Sequence, residues 1–414
     1  MRAACWLVLL VSVLNSAQST DADACAKSPD ADAKLKACSA LIDSGKSLPA
    51  ETVAALLGRA EAKLMKRQLD AAMQDLDQAL KLNPENAGAL SFRGAVHFQR
   101  GEDDLAVADL DHALKIDPRD AHAFQRRGYI RSKNGQYDLA IADYDQAINL
   151  DPGYARAFTS RGRTYLEKRD FNRALADLQQ AVKLDPKDAI GLTALGTACS
   201  YQEQHDCALK AYDQALQITP DDLVSLYNRG NAHLSLKQYA LAIQDFDQVL
   251  RLQPNDARAF ARRGLAYAGL KQYPQALADY DGALRFKPDN TEVLVNRGLV
   301  YYGTGLFDLA IRDYDNALRI DPKEVKAIEN RGAAYLSKAD PDRALEDFDS
   351  AIRLDPKDAF AFLSRGMAYV MKGEFDRGMQ DMDEAIRLKP GDETLRAVRE
   401  RVRATGQKMF PPKK

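Results

Sequence analysis

The sequence contains none of the short motifs that indicate the common catalytic sites. Its five histidines are scattered, and it has no nucleophile elbow, phosphate-binding loop or HExxH helix. The stretch GTG, Gly303–Gly305, is the nearest approach to a glycine-rich loop, and we interpret it as a turn between two helices. The residues therefore favour a protein that is not an enzyme, and they predict neither a cofactor nor a metal site.

An excess of either charge is also missing. The chain has 58 Lys and Arg residues against 60 Asp and Glu residues, which gives a formal net charge of −2. No block of basic residues interleaved with aromatic residues occurs. Proteins that bind nucleic acid need such a surface, because contacts with phosphates supply much of their affinity. The composition therefore argues against a nucleic-acid partner.

The N-terminal apolar run, Ala3–Leu14, has 12 residues, whereas a membrane-spanning helix needs about 20. One arginine precedes the run and small residues follow it, which is the arrangement of a secretory signal peptide. We predict that residues 1–19 are a signal peptide cleaved after Ser19, with cleavage after Ala17 as the alternative. A retained membrane anchor is the competing interpretation. The mature protein is then expected to be periplasmic or secreted, without stable insertion in a membrane.

What the sequence does contain is a repeat of constant length. Proline recurs every 34 residues at ten positions: Pro84, Pro118, Pro152, Pro186, Pro220, Pro254, Pro288, Pro322, Pro356 and Pro390. A fixed period of this size is typical of arrays in which each unit packs only on its neighbours. Ten repeats cover residues 53–392, so the sequence predicts a single array without a second domain.

One repeat, residues 121–152, shows what each unit is made of. Apolar and small residues recur at helical spacing in two runs of about 12 to 14 residues, which Gly135 separates. The second run ends at the sequence LDP, because proline lacks an N–H group and the residue before it avoids the α region. Each repeat is therefore predicted to be a helical hairpin, and the fold to be all-α.

Small residues recur at one position in each predicted helix. The first helices carry Gly94, Gly128, Gly162, Gly196, Gly230, Gly264, Gly298, Gly332 and Gly366. The second helices carry Ala72, Ala106, Ala140, Ala174, Ala208, Ala242, Ala276, Ala310 and Ala344. A glycine inside a helix costs roughly 1 kcal/mol relative to alanine, so we attribute these positions to close packing between the two helices.

These positions resemble the tetratricopeptide repeat (TPR), whose unit of 34 residues has the same small glycine, alanine and closing proline. A tyrosine three residues after the glycine completes the likeness in five repeats: Tyr165, Tyr267, Tyr301, Tyr335 and Tyr369. Over ten repeats in register, the resemblance implies an all-α, right-handed superhelical solenoid of about ten helical hairpins. The predicted divisions are an N-terminal helical extension at 20–52, ten TPR units at 53–392, a capping helix at 393–406 and a disordered tail at 407–414.

An arginine and an aspartate vary together along the array. Arginine precedes the repeated glycine in eight repeats, from Arg93 to Arg365, and Arg59 has the same place in the first. The same nine repeats carry aspartate 16 residues later: Asp75, Asp109, Asp143, Asp177, Asp245, Asp279, Asp313, Asp347 and Asp381. Only the fifth repeat has neither, with Leu195 and Ala211 instead. We predict exposed pairs across each hairpin, worth about 0.2–1 kcal/mol, that fix its register. A ladder of catalytic carboxylates is the alternative.

Four cysteines remain once the predicted signal peptide is removed: Cys25, Cys38, Cys199 and Cys207. An even number in an exported chain favours disulfides. Cys25 and Cys38 would join the N-terminal helix to its leader, while Cys199 and Cys207 flank the fifth hairpin turn and could replace the missing Arg–Asp pair. His205 leaves a metal site as the alternative, although three ligands without a fourth fall short of structural zinc. The opening of the chain also resembles that of exported TPR proteins from alphaproteobacteria.

The resemblance implies that the first helices line a concave groove. The groove-facing positions we select as candidate binding residues are Tyr129, Arg156, Arg163, Tyr201, Tyr227, Asn231, Arg258, Leu265, Val295, Leu299 and Tyr302. A solvated groove wall has no need of several apolar residues, so the apolar members of this set favour a partner site. The family's clamp for a C-terminal carboxylate is not predicted, because Thr193 and Thr197 stand where lysine and asparagine are expected.

Near the end of the array, the resemblance also implies that three residues face the groove: Met367, Val370 and Met371. Methionine adapts well to varied ligands, yet a terminal repeat also needs a cap. The same residues could therefore pack under the end helix instead of binding a partner, and the sequence favours neither role.

The sequence as a whole predicts an exported, non-catalytic scaffold that binds an extended or helical segment of a partner protein of unknown identity. A regulatory or assembly subunit of a cell-envelope enzyme complex is the first alternative. An enzyme with unrecognised catalytic residues is the second.

Overall fold

The computed structural model describes residues 22–45 and 47–409, and all regular secondary structure in that part of the chain is helical. The array divides into two compact units between Ile218 and Thr219. We call them the N-terminal unit, which holds the hairpins of repeats 1–5, and the C-terminal unit, which holds those of repeats 6–10. The constant period of the sequence did not predict this division. The predicted signal peptide and the last five residues of the predicted tail lie outside the described residues.

The N-terminal unit begins with a short helix, α1, at residues 22–27. Eleven helices follow: α2 (Ala31–Asp43), α3 (Pro49–Met65), α4 (Leu69–Leu82), α5 (Ala87–Gln99), α6 (Asp103–Ile116), α7 (Ala121–Lys133), α8 (Tyr137–Leu150), α9 (Ala155–Glu167), α10 (Phe171–Leu184), α11 (Ala189–Tyr201) and α12 (His205–Ile218).

The C-terminal unit contains α13 (Leu223–Ser235), α14 (Tyr239–Leu252), α15 (Ala257–Gly269), α16 (Tyr273–Phe286), α17 (Thr291–Gly303), α18 (Phe307–Ile320), α19 (Val325–Ser337), α20 (Pro341–Leu354), α21 (Ala359–Met371), α22 (Phe375–Leu388) and α23 (Glu393–Met409). Consecutive helices of one repeat pack against each other in both units. The predicted all-α array of helical hairpins is therefore confirmed.

Local sequence sets the ends of these helices. Asp120 begins α7 by accepting a hydrogen bond from the backbone N–H of Ala123 at 2.9 Å, and Asn290 does the same for α17. Such caps satisfy N–H groups that have no partner within the helix. The second helix of the same repeat, α8, ends before Pro152, which cannot continue it. Side chains and proline together fix the length of each hairpin.

Each hairpin turn contains one residue in the left-handed region, at the same place in all ten repeats. Four of these residues are glycines: Gly101, Gly135, Gly305 and Gly373. The other six are Arg67, Arg169, Glu203, Lys237, Lys271 and Ala339, with φ between 55° and 59°. The sequence analysis attributed the turn of repeat 121–152 to its glycine, and the structure shows that the same turn geometry also forms without glycine.

The repeated glycines lie where the two helices of a hairpin touch. A Cβ atom on Gly128 would lie 2.8 Å from the ring of Tyr144, and one on Gly298 would lie 2.5 Å from the ring of Tyr314. Both tyrosines are fully buried. These separations are too short for carbon atoms, so the predicted close packing at this position is confirmed.

Additional helices cover both ends of the array. In the N-terminal unit, Cys25 and Cys38 form a disulfide that joins α1 to α2 and packs against Gly58 of α3. In the C-terminal unit, Leu395 of α23 is buried in a cluster that includes Leu363. The predicted capping helix is therefore present. It continues to Met409, so the predicted end at residue 406 and the predicted start of the tail at 407 are three residues too early.

Candidate functional site

The predicted Arg–Asp pairs are present in all nine repeats that carry both residues. In each, the guanidinium of the first helix donates two parallel hydrogen bonds to the carboxylate of the second. Arg161 shows the geometry, since its Nε and Nη2 atoms each lie 2.7 Å from an oxygen of Asp177. The remaining pairs are Arg59–Asp75, Arg93–Asp109, Arg127–Asp143, Arg229–Asp245, Arg263–Asp279, Arg297–Asp313, Arg331–Asp347 and Arg365–Asp381.

In seven of these repeats, the remaining nitrogen of the arginine, Nη1, also reaches a second aspartate, on the preceding hairpin. Within the N-terminal unit the pairs are Arg93–Asp77, Arg127–Asp111 and Arg161–Asp145. Within the C-terminal unit they are Arg263–Asp247, Arg297–Asp281, Arg331–Asp315 and Arg365–Asp349. This network explains why the sequence repeats aspartate twice, as in DYD. The repeat before Leu195 has Gln179 at the second place, a signal that the sequence analysis missed.

These pairs are not the exposed contacts that the sequence predicted. The side chain of Asp313 is fully buried and that of Arg297 is 15% exposed. Because each carboxylate is removed from water, it depends on its guanidinium for compensation, and the pair matters for stability as well as register. The hydrogen bonds of Asp177 raise the pKa of Arg161 above its ordinary value. Carboxylates held this way are structural, and the alternative of a catalytic ladder loses its basis.

The fifth repeat contains the predicted disulfide between Cys199 and Cys207, which joins α11 to α12. Leu195 and Ala211 pack beside it in an apolar cluster with Tyr212. Both sulfur atoms are bonded to each other, so they are not available to a metal. Among residues 22–45 and 47–409, no group of three or more His, Cys, Asp or Glu side chains could hold a metal ion.

In the N-terminal unit, the predicted binding residues Tyr129, Arg156, Arg163 and Tyr201 are all exposed. Tyr129 and Arg163 come together at a cavity of about 340 Å³ between α7, α8 and α9, whose lining does not include Arg156 or Tyr201. Tyr201 instead stacks on Phe171, with 4.5 Å between the ring centroids.

The wall of this cavity is rich in hydroxyl groups. Ser132 and Thr164 share a hydrogen bond of 2.8 Å, and Gln125 donates to Ser160 at 3.1 Å. Burial raises the pKa of Tyr144, which lies at the bottom of the cavity, above its ordinary value. The cavity can therefore offer hydrogen bonds to a polar group, with Arg163 at its edge as a cation.

In the C-terminal unit, Arg258 and Tyr302 of the predicted set have side-chain partners from their own chain. The guanidinium of Arg258 lies over the ring of Tyr227 at 5.1 Å and forms an ion pair with Asp256 at 3.1 Å. Asn231 is half-buried, and the hydroxyl of Tyr302 lies 3.1 Å from the hydroxyl of Ser337. Arg258 and Tyr302 therefore already contact side chains of their own chain.

The apolar members of the set differ in how much surface they offer. Leu299 is 42% exposed and Leu265 is half-buried. Val295 departs from the expectation of a binding residue, because it is 6% exposed and lies in a core cluster with Tyr314 and Ala327. The next first helix, α19, covers it. A partner could therefore reach Leu299 and part of Leu265, but little of Val295.

The two roles left open for the last repeat are divided between its residues. Val370 packs in the cluster that also contains Leu395 of α23. Met367 and Met371 remain 41% and 48% exposed, and neither belongs to that cluster. Leu299, Met367 and Met371 therefore present apolar surface on first helices of the C-terminal unit.

Two ionisable residues on the first helices were missed by the sequence analysis. Glu329 stands between Val295 and Leu363 in the repeat register, and its buried Oε1 atom has no hydrogen-bond partner among the described residues. Burial and the adjacent Asp358 raise the pKa of Glu329 to about 8, so it is mostly protonated at neutral pH. Arg126 of α7 forms no ion pair in the described part of the chain. Neither residue belongs to a motif, so only its surroundings identify it.

No helix in the described part of the chain is both long enough and apolar enough to cross a membrane.

Family models cover almost the whole array. Models described as tetratricopeptide or TPR repeats match residues 57–121, 110–142, 128–168, 159–222, 224–256, 264–305, 295–359 and 332–403. No curated protein sequence matches the chain.

Several solved structures are similar to this chain. A tetratricopeptide repeat protein from Parabacteroides merdae is 21% identical over 60% of this chain and 98% of its own, with a TM-score of 0.49. YrrB, described as a TPR protein with an unusual peptide-binding site, is 26% identical over 44% of this chain and 95% of its own, with a TM-score of 0.39.

The Cut9–Hcn1 hetero-tetramer of the APC/C covers more of the chain. The match is 14% identical and spans 90% of this chain and 93% of the other, with a TM-score of 0.50. At this identity the likeness concerns the fold alone, and it agrees with the paired helices described above. The repeat models, which match most of the chain, show that it belongs to the tetratricopeptide repeat family.

Proposed function

We propose that this TPR protein is an exported, non-catalytic scaffold that binds an extended or helical segment of a partner protein on the faces of its first helices. The observation that carries the proposal is the apolar surface left open in the C-terminal unit, where Leu299, Met367 and Met371 are each more than 40% exposed. Apolar residues repeated on one set of helices usually mark a site for a partner.

Export is supported by the two disulfides. Cys25–Cys38 and Cys199–Cys207 use all four cysteines of the described residues. Disulfides persist in oxidising compartments and are rare in the cytosol of most organisms. Together with the predicted signal peptide, they favour a periplasmic or secreted protein.

The test compares capture of the native partner by variants of the full chain. Replacing Leu265 and Leu299 with Glu should abolish capture, because an apolar anchor at an interface can cost about 2 kcal/mol or more when it is lost or made charged. The helical circular dichroism and melting temperature should hardly change, since Leu299 is exposed. Cross-linking and mass spectrometry of the native protein would identify the captured segment.

A matched control is available in the same unit. Leu241 lies on the second helix α14 and is 44% exposed, almost the same as Leu299. Leu241→Glu should leave capture intact. Replacing Arg156 and Arg163 with Ala should weaken capture modestly and mainly at low salt, because exposed charges chiefly affect association. If the arginine variant loses capture while the leucine variant retains it, the proposed surface is contradicted. If the leucine variant loses its cooperative melting transition, Leu265 and Leu299 belong to the core.

A further inference from the structure

The cavity between α7, α8 and α9 interrupts the apolar pattern of the array. Ser132 stands at a first-helix position that is apolar or aromatic in eight other repeats: Leu64, Phe98, Leu166, Leu234, Ala268, Tyr302, Leu336 and Val370. Only Ser200, in the fifth repeat, is also serine. Thr164 is buried, and the corresponding residue is alanine, valine or isoleucine in the nine other repeats. Small hydroxyl residues therefore line a space that a leucine or phenylalanine at position 132 would enter.

The hydroxyl groups of this wall keep both a donor and an acceptor for a ligand. Thr164 donates its proton to the backbone carbonyl of Ser160 at 2.9 Å, so Ser132 is the donor in the 2.8 Å contact between the hydroxyls of Ser132 and Thr164. A hydroxyl has one proton and two lone pairs, so Ser132 can still accept a hydrogen bond. The hydroxyl of Ser160 accepts from Gln125 at 3.1 Å, which leaves its own proton for another acceptor.

The remaining lining adds charges of both signs and an aromatic ring. Arg163 can only donate hydrogen bonds, whereas Glu167, one turn later on α9, can only accept them. Both are exposed, and neither forms an ion pair in the described part of the chain. Lys133 is already paired with Asp103 at 3.5 Å. Tyr129 contributes a ring that is 42% exposed.

This combination disfavours the simpler kinds of ligand. A phosphate or carboxylate offers acceptors alone and would bring negative charge close to Glu167. An ammonium group offers donors alone and would meet Arg163 and Lys133. An apolar group would remove the hydroxyls from water without giving them a partner, which costs free energy. A ring that carries several hydroxyls satisfies donors, acceptors and aromatic surface together.

We propose that this cavity binds a neutral sugar ring, a pyranose, whose hydroxyls form hydrogen bonds with Ser132 and Ser160 and whose carbon face lies against Tyr129. The volume of about 340 Å³ is at the low end of the range for ligand sites, about 300–1,000 Å³, and suits a single ring. Arg163 and Glu167 then bind outer hydroxyls as donor and acceptor. The inference goes beyond the proposed function, because this site lies in the N-terminal unit and requires no partner protein.

The experiment titrates the full chain with three defined probes, the methyl glycosides of glucose, galactose and mannose. Their rings are neutral and cannot open, so each probe presents one defined pyranose. We expect at least one of them to bind with a Kd of about 1 mM in ligand-observed NMR, which is the affinity expected of a ligand with so few atoms.

Two variants locate the site. Ser132→Leu fills the cavity with the residue that Leu166 provides in the next repeat, so it should weaken binding about tenfold or more without lowering the melting temperature. Tyr129→Ala removes the aromatic surface and should weaken binding about threefold or more. The helical circular dichroism of this second variant should not change, since Tyr129 is partly exposed.

A matched control is the other serine at the same repeat position. The hydroxyl of Ser200 donates to the backbone carbonyl of Gly196 at 2.9 Å, and Ser200 does not line this cavity. Ser200→Leu should therefore change the affinity less than about twofold.

Several outcomes would overturn the inference. They are no binding of any of the three glycosides at about 10 mM, unchanged affinity in Ser132→Leu, or an equal loss of affinity in Ser200→Leu. If Ser132→Leu lowers the melting temperature, Tyr129→Ala decides, and unchanged affinity in that variant rejects the site. Tighter binding of the amidated peptide Gly-Ser-Asn-Gly than of any glycoside, lost in Ser132→Leu, would assign the cavity to a polar side chain of a protein instead of a sugar.

Discussion

Nine repeats join their two helices through an arginine and a buried aspartate, whereas the fifth repeat joins them through the disulfide Cys199–Cys207. The fifth repeat has Leu195 and Ala211 at the positions of the missing pair, and both pack in an apolar cluster. One position in the hairpin can therefore be stabilised either by a charged pair or by apolar packing with a covalent bond beside it.

The difference extends beyond the fifth repeat itself. Seven of the paired arginines also bind an aspartate of the preceding hairpin, as Arg161 binds Asp145. Before Leu195, that place is taken by Gln179. Three substitutions in two repeats thus remove one arginine and both of its carboxylates. The arginine and its two aspartates vary together, and the aspartate of the same hairpin would be buried and unpaired without its guanidinium.

Removing the arginine of one of the nine Arg–Asp pairs should give the largest loss of stability. Arg297→Ala leaves the fully buried carboxylate of Asp313 without a partner. Removing one member of a buried ion pair costs about 3–5 kcal/mol, so we expect a large fall in the urea midpoint of the C-terminal unit. The matched control is Arg387→Ala, which removes an exposed arginine paired with Glu384 on the same helix and should not shift the midpoint measurably. Equal urea midpoints for the two variants would contradict the claim that the buried Arg–Asp pairs stabilise the fold.

Removing the disulfide should have the next largest effect. Replacing Cys199 and Cys207 with Ser frees a loop of about nine residues, which corresponds to about 2.5 kcal/mol in the chain-entropy model. We expect reducing agent to lower the urea midpoint of the wild type more than that of this variant, in which only Cys25–Cys38 remains to be reduced.

Thiol labelling checks the same bond directly. Unreduced, denatured protein should show no free thiol at Cys199 or Cys207, and labelling of both would exclude the disulfide. The two disulfides are distinguishable because Cys25–Cys38 is retained in the serine variant.

Replacing a whole Arg–Asp network by the residues of the fifth repeat should destabilise the protein less than removing its arginine alone. The triple replacement Arg297→Leu, Asp313→Ala and Asp281→Gln reproduces the residues around Leu195 in the eighth repeat. Replacing a whole buried ion pair by apolar residues is often close to neutral. We expect a loss below about 2 kcal/mol by urea denaturation, smaller than for Arg297→Ala alone. A triple variant less stable than the single one would show that the three residues do not act as a unit.

The sequence predicted those contacts whose residues vary together at fixed positions of the repeat. The pairing of Arg59 with Asp75 and its equivalents followed from that variation, as did the disulfide of the fifth repeat. The burial of these pairs did not follow, because it depends on how the next hairpin packs. The same limit explains Val295, whose burial comes from the neighbouring helix α19.

The sequence also could not predict which ionisable side chains lack an ion-pair partner among the described residues. Arg126 and Arg262 occupy the same repeat position, and only the contacts show that Arg262 pairs with a carboxylate whereas Arg126 forms no ion pair among the described residues. Glu329 likewise became notable only because Asp358 lies beside it. The candidate binding residues drawn from the TPR resemblance stay a prediction. The predicted signal peptide stays a prediction, since it lies outside the described residues.

The smallest expected effect concerns the hairpin turns. Ala339 has φ of 57°, in the region where Gly135 and Gly305 stand in other repeats. A residue with a Cβ pays about 1–2 kcal/mol for this conformation, while glycine adds up to about 1 kcal/mol of unfolded-state entropy. Ala339→Gly should therefore stabilise the C-terminal unit by about 0.5–1 kcal/mol, measured as a higher urea midpoint.

The turn of the fifth repeat sharpens this prediction. Glu203 has φ of 56° and lies inside the loop closed by Cys199 and Cys207. The disulfide already restricts the unfolded loop, so glycine should add less entropy there than at Ala339. Glu203→Gly is then expected to raise the midpoint at least as much as Ala339→Gly in the oxidised protein, and to lose part of that gain on reduction. A gain unaffected by reduction would mean that relief of backbone strain alone controls these turns, and that the covalent link of the fifth repeat does not change how its turn is stabilised.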